Sequence, residues 1–148
     1  MKKHGLSLGK MQDYGELMIL LDTSFIIDLF KNPDRVEDYL DLIDKEGACL
    51  TSISYFEIFR AKRLMSRREI SYFNQLFNTY PIYMFDLSAS EKASEIWIKL
   101  ERLGEIINVL DIMIGGIMLA NGIYKIITRD KDFQTMSKVV DIEVIIIK

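Results

Sequence analysis

The sequence predicts an α/β fold, a three-layer α/β/α sandwich built on a mainly parallel central sheet. Short apolar runs alternate with helical stretches along the chain, which calls for right-handed crossovers and helices on both faces of one sheet. The final run, Val144-Ile145-Ile146-Ile147, is unbroken and β-branched, as expected of a strand covered on both sides. Four acids, Asp22, Glu57, Asp111 and Asp130, each stand where a predicted strand hands over to a helix. In an open parallel sheet those junctions share one edge, where ligands bind, so acids distant in sequence are expected to converge.

The elements follow in order. Residues 1–17 carry Gly5, Gly9 and Gly15, and are expected to form a flexible N-terminal extension ahead of a single domain over 18–148. Residues 18–21 read as the first strand, 24–31 as a short helix, and Asn32-Pro33 as a break. The stretch 34–46 puts Val36, Leu40 and Ile43 on one helical face and ends at Gly47, before a strand over 48–51. Three capping boxes are expected, Ser54/Glu57, Ser66/Glu69 and Ser88/Glu91, opening helices that run to Met65, about Thr79 and Leu103. Pro81 stops the second helix before a strand over 82–85, and Gly104 ends the third. Asp111 is expected to start a helix through Ala120 that Asn121-Gly122 terminates. A strand over 124–128, a helical turn over 132–137 and a last strand over 143–147 complete the chain. Trp97 and the Met-bearing helix 112–120 are expected in the core.

Composition narrows the chemistry. A chain of 148 residues fits one domain with room for a real core. Its 49% hydrophobic and 28% charged content is ordinary for a globular protein. The longest uncharged apolar stretch, 112–124, falls short of the roughly 20 residues that span a bilayer, so no membrane association is expected. No apolar signal segment occupies residues 1–17, and a cytoplasmic location is expected. Cys49 is the only cysteine, which excludes an internal disulfide and a cysteine-based metal site; its neighbours Ala48 and Leu50 suggest a buried strand position. His4 is the only histidine, in the leader, which disfavours two-histidine RNA cleavage and a Ser-His-Asp triad. A hydrolase built from this chain must therefore work through metal or carboxylate chemistry. The net charge of −3 does not advertise nucleic-acid binding. Cations are nevertheless clustered: Lys62, Arg63, Arg67 and Arg68 crowd one predicted helix–helix junction, and Lys125, Arg129 and Lys131 flank the last acid. Such groups suit phosphate contacts and equally suit a solvated helix face.

Each acid also has a purely structural role open to it. Asp is a favoured helix cap, and the helix dipole welcomes negative charge at its start. Asp22 fits that role least well, since it directly follows four apolar residues. Glu57 lies among Tyr55, Phe56, Ile58 and Phe59, and Asp111 is flanked by apolar residues on both sides. Several poorly hydrated carboxylates in one place raise one another's pKa and call for a counter-ion. Mg²⁺ or Mn²⁺, one ion or two, suits an all-oxygen ligand set, and such ions activate water for attack on phosphorus. Thr23, Ser24 and Thr128 are candidate supporting hydroxyls that orient the carboxylates.

The runs Leu21-Asp22-Thr23-Ser24-Phe25-Ile26-Ile27-Asp28, Ser54-Tyr55-Phe56-Glu57-Ile58, Asp111-Ile112-Met113-Ile114-Gly115-Gly116 and Ile127-Thr128-Arg129-Asp130-Lys131-Asp132-Phe133 together resemble the PIN-domain proteins, and among them the VapC-type toxins of toxin–antitoxin pairs. The resemblance covers residues 18 to about 147. It implies a metal-dependent endoribonuclease with Asp22, Glu57, Asp111 and Asp130 as catalytic and metal-holding acids. It also implies an RNA substrate, a homodimer and a cognate antitoxin protein. Lys62, Arg63, Arg67, Arg68 and Arg129 are the candidate RNA contacts. Two departures from the family pattern stand out: Gly115-Gly116 replaces the usual small alanines, and Asp132 competes with Asp130 for the place of fourth acid. The alternative is a catalytically silent PIN-like or receiver-like interaction module, with Asp86 as the acid that a receiver would phosphorylate.

Overall fold

The computed structural model describes residues 18–148; the expected extension over 1–17 lies outside them. The elements are β1 (Ile19–Leu21), α1 (Thr23–Lys31), α2 (Pro33–Val36), α3 (Leu40–Glu46), β2 (Ala48–Thr51), α4 (Ser52–Phe59), α5 (Arg67–Thr79) and β3 (Ile82–Tyr83). They continue with α6 (Leu87–Arg102), α7 (Val109–Ala120), β4 (Lys125–Thr128), α8 (Asp132–Met136) and β5 (Glu143–Ile146). The five strands lie in the order β3-β2-β1-β4-β5, and every pairing is parallel. The chain thus builds one half of the sheet outward from β1 and the other outward from β4. The switch point falls between β1 and β4, where a ligand crevice is expected in a sheet of this kind.

Side chains of β1 alternate between two cores. Ile19 and Leu21 pack with Phe25, Ile43, Phe73 and Phe77 on one face of the sheet. Leu20 packs with Cys49, Ile96, Ile114 and Phe133 on the other. Because β1 is covered on both sides, none of its residues has measurable exposure, and it forms a rigid base for whatever follows it. Cys49 is a free, buried thiol in β2, and burial pushes its pKa up.

On the second face α6 and α7 approach closely because glycine allows it. A Cβ on Gly116 would overlap the Ala89 carbonyl oxygen and crowd Ala93, while one on Gly115 would overlap the Met136 sulfur.

Several local expectations are corrected. The helix expected over 34–46 is broken: α2 ends at Val36 (φ −105°, ψ −3°), and a 3₁₀ turn over Glu37–Tyr39 separates it from α3. Val36 and Ile43, on either side of the break, are both buried in the core. Of the three capping boxes only Ser66/Glu69 forms. Thr51 caps α4 instead of Ser54, accepting the Ser54 N–H at 3.1 Å, and Asp86 caps α6 instead of Ser88, accepting from the Ala89 N–H at 2.9 Å. In both cases the residue nearer the strand end takes the cap, and the helix starts earlier than the serine. Helix α4 also ends at Phe59, short of Met65. Asn108 caps α7, so Asp111 sits within its first turn and does not start it. Trp97 is 47% exposed and not in the core.

Candidate functional site

β1 ends at Leu21, and Asp22 follows in extended geometry (φ −72°, ψ 160°) before α1 begins. Asp22 occupies the N-cap position, yet its side chain makes no capping bond. Its Oδ2 instead accepts hydrogen bonds from Thr128 Oγ1 at 2.7 Å and Ser24 Oγ at 3.2 Å. Its Oδ1 is buried and accepts none. The Thr128 bond crosses the switch point, because Leu21 and Ile127 are paired in register one residue earlier. Thr128 Oγ1 also accepts the Asp130 N–H at 2.9 Å, which ties the fourth acid to the first.

Glu57 arrives from α4. Thr23 donates to its Oε1 at 2.7 Å, and Ser54 Oγ lies 2.8 Å from Thr23 Oγ1. Since the single Thr23 proton goes to Glu57, Ser54 donates to Thr23. Ser54 and Glu57, one helical turn apart, therefore grip Thr23 together. Sequence reasoning assigned Ser54 to a cap and missed this role, although the i, i+3 spacing to Glu57 places both on one helix face.

Asp111 is 5% exposed, and its Oδ2 accepts no hydrogen bond. Asp111, Asp130 and Asp132 each bring a carboxylate oxygen within 4.8 Å of the others, a spacing that could hold a metal ion. Both contenders for the fourth position thus approach Asp111. They differ in local duty: Asp130 Oδ1 accepts the Asp132 N–H at 2.9 Å, whereas Asp132 Oδ2 accepts the Asn108 N–H at 3.0 Å at the start of α7. An open cleft of about 210 Å³ is lined by Asp22, Thr23, Ser24, Ile27, Glu57, Asp111, Arg129 and Asp130.

The electrostatics are those of crowded like charges. Burial pushes Asp22 up to about 6, against the hydrogen bonds from Thr128 and Ser24, with Glu57 adding repulsion. Burial also raises Asp111, to about 10, reinforced by the carboxyls of Asp130 and Asp132 and by the charge of Asp22. Two buried carboxylates in one acidic cluster, each with an unpaired oxygen, fit an oxygen-ligated divalent cation. Without one the charges have no counterpart on the cleft wall except Arg129.

The basic residues separate into two groups. Arg129 lines the cleft, whereas Lys62, Arg63, Arg67 and Arg68 are exposed on the α4–α5 connection and the start of α5, outside the cleft lining. Arg68 rests over the Phe30 ring, 5.8 Å from its centroid. Asp86 belongs to the loop after β3, the edge strand two places from β1, and its carboxylate is spent on capping α6.

This parallel sheet, with acids gathered at the carboxyl ends of β1 and β4, defines an α/β protein with a candidate metal-dependent centre. The match to the PIN domain family runs over residues 19–139, and the chain belongs to that family. No curated protein matches it in sequence. Its fold is that of chains from several solved complexes. VapBC2 from Rickettsia felis, bound to a DNA fragment from its promoter, superposes with a TM-score of 0.74 at 18% identity, covering 88% of this chain and 99% of that one. FitAcB from Neisseria gonorrhoeae gives 0.69 at 22% identity over 86% and 96%. VapBC-5 from Mycobacterium tuberculosis, of the VapBC family of toxin-antitoxin systems, gives 0.67 at 16% over 88% and 99%. Among the described residues no helix is long and apolar enough to cross a membrane.

Proposed function

We propose that the chain is a metal-dependent endoribonuclease, the toxin of a toxin–antitoxin pair acting in the cytoplasm. One observation carries this reading: Asp22 and Asp111 line the same cleft, both buried, each with one oxygen that accepts no hydrogen bond. Buried acids left that way are costly unless a cation completes them. In this reading Asp22, Glu57 and Asp111 hold Mg²⁺ or Mn²⁺, and Asp130 holds a second ion or positions the attacking water. Asp132 supports that end of the site. When bound, the ion supplies positive charge that acidifies water and stabilises the charge developing on phosphorus.

The chain's own groups fix the geometry. Thr128 and Ser24 immobilise one oxygen of Asp22 and leave the other available. Thr23, backed by Ser54, does the same for one oxygen of Glu57. The exposed cations Lys62, Arg63, Arg67 and Arg68 guide the RNA backbone, and Arg129 meets it at the cleft. The exposed apolar residues Trp97, Leu103, Ile106 and Val109 offer surface to a second copy or to an antitoxin. Complexes among the structural relatives support a protein partner of that kind.

The test is cleavage of a fluorescently labelled single-stranded RNA. Activity should vanish in EDTA, return on adding Mn²⁺ or Mg²⁺, and vanish in Asp22→Asn and Asp111→Asn variants that remain folded. Equal cleavage in EDTA, or full activity in either variant, overturns the mechanism.

A further inference from the structure

Asp28 has no solvent exposure, which makes it the most deeply buried charge among the described residues, yet it does not line the cleft. It lies on α1 four residues after Ser24, so the two share a helix face. That face grips Arg129 at two points. Ser24 Oγ accepts the Arg129 backbone N–H at 2.9 Å, and Asp28 Oδ1 lies 3.5 Å from Arg129 Nη1. Besides Arg129, Asn32 Nδ2 donates to Asp28 Oδ1 at 2.9 Å, and Arg35 Nη1 lies 3.8 Å from Oδ2, which accepts no hydrogen bond. Arg129, by contrast, borders Asp22, Glu57, Asp111 and Asp130 and is the single cation among the cleft-lining residues. An untethered guanidinium there would be drawn onto the four acids and would compete with any cation they bind. Its ion pair is instead with Asp28, and its side chain keeps 40% exposure.

We propose that Asp28 is a positioning residue: with Ser24 it holds the Arg129 guanidinium at the mouth of the acidic cleft, turned from the acids and available to a phosphate of the substrate strand. The proposal rests on the nuclease reading and gives it a substrate-side cation. A guanidinium on phosphate forms a charge-assisted, often bidentate contact, made in the ground state as well as in the transition state. Its loss therefore falls mainly on KM.

The experiment is a double-mutant cycle on Asp28→Asn and Arg129→Ala, read as KM and kcat for RNA cleavage in Mn²⁺, with melting temperatures alongside. Asp28→Asn and Arg129→Ala should each raise KM roughly tenfold, and the double variant should be no worse than Arg129→Ala alone. Asn32→Ala keeps the Asp28 charge but removes the donor to Oδ1. It should move KM in the same direction by less, and it serves if Asp28→Asn does not fold. A purely structural Asp28 would lower the melting temperature without changing KM, or would add its full effect in the Arg129→Ala background; either result overturns the proposal. If the wild-type chain binds RNA without cutting it, the nuclease reading fails, and the same cycle run on binding constants still decides the role of Asp28. A wild-type chain that neither binds nor cuts RNA overturns both.

Discussion

With divalent ions chelated, the protein should lose stability as the pH rises. Asp22 ordinarily titrates near 3.8 and is raised to about 6 in the fold, so folding favours its protonated form. The stabilisation from that preference is complete below about pH 4 and is lost as the pH climbs through 6. Over that window each such group makes folding take up one proton, a slope of about 1.4 kcal/mol per pH unit. A shift of about two units then amounts to roughly 3 kcal/mol at neutral pH. Asp22 is only 3% exposed, so solvent screening discounts this little. Asp111, raised to about 10, acts in the same direction and stays protonated at neutral pH while no cation is present. Asp22→Asn removes the charge and keeps an oxygen to accept from Thr128 and Ser24, at the cost of an amide placed where Oδ1 has no partner. We expect a net gain of about 2 kcal/mol at pH ~7.5, a rise in Tm of about 5 °C for a chain of this size.

The assay is a series of thermal melts in EDTA from about pH 5 to about pH 7.5, for wild type and Asp22→Asn. Wild type should fall in Tm across the series and the variant should fall less. Adding Mn²⁺ should reverse the order, because ionised acids bind the cation and protonated ones do not. The wild-type gain should be large at the upper pH and small at the lower, and the variant should gain little at either. A wild-type Tm that rises with pH in EDTA, or an Asp22→Asn variant less stable than wild type there, refutes the argument that these acids burden the fold.

Two other outcomes follow from packing and ligand geometry. Gly116→Ala should destabilise by about 2 kcal/mol, because its methyl meets backbone of α6, whereas Gly115→Ala should cost less, since the Met136 side chain can swing aside; chemical denaturation of both variants checks the order. Asp132→Asn should weaken Mn²⁺ binding in calorimetry by about tenfold and Asp130→Asn by more; equal affinity of Asp132→Asn and wild type would assign Asp132 solely to holding the Asn108 N–H.

The sheet was legible because apolar runs and helical periodicity make strong long-range patterns. So was the common edge that carries Asp22 and Asp130, since strand ends of a parallel sheet share a side. What escaped were choices between nearby polar residues. Ser54 and Thr51 both satisfy the rules for a helix cap, and only the docking of α4 on α1 releases Ser54 to contact Thr23. The single helix read over 34–46 is interrupted by a 3₁₀ turn over Glu37–Tyr39, for which the spacing carries no signal, since a continuous helix would also turn Val36 and Ile43 to the one core they share. Nothing in the sequence marked Asp28, on the short helix after Asp22, as a buried acid. In the fold it is fully buried, with Asn32, Arg35 and, from the far end of the chain, Arg129 around its carboxylate. Trp97 misled in the other direction, since size and apolarity say nothing about which helix face meets a neighbour.

The first turns of α1 give the cleft its internal logic. Asp22 stands at the centre, Thr23 reaches sideways to Glu57, Ser24 reaches across to Thr128 and the Arg129 backbone, and Asp28 takes the Arg129 guanidinium. One helix of nine residues therefore sets the position of groups from α4, β4 and the loop after β4. It can do so because it springs from β1, whose neighbours β2 and β4 bury it on both edges and whose faces are covered by two cores. Holding like charges together requires a base that cannot relax away from them, and the central strand is where relaxation is most restricted. Placing the acid cluster on an edge strand such as β3 would let repulsion open the site. At the switch point repulsion is instead retained as a demand for a cation, so the metal binding proposed for this cleft would follow from the fold as much as from the four carboxylates.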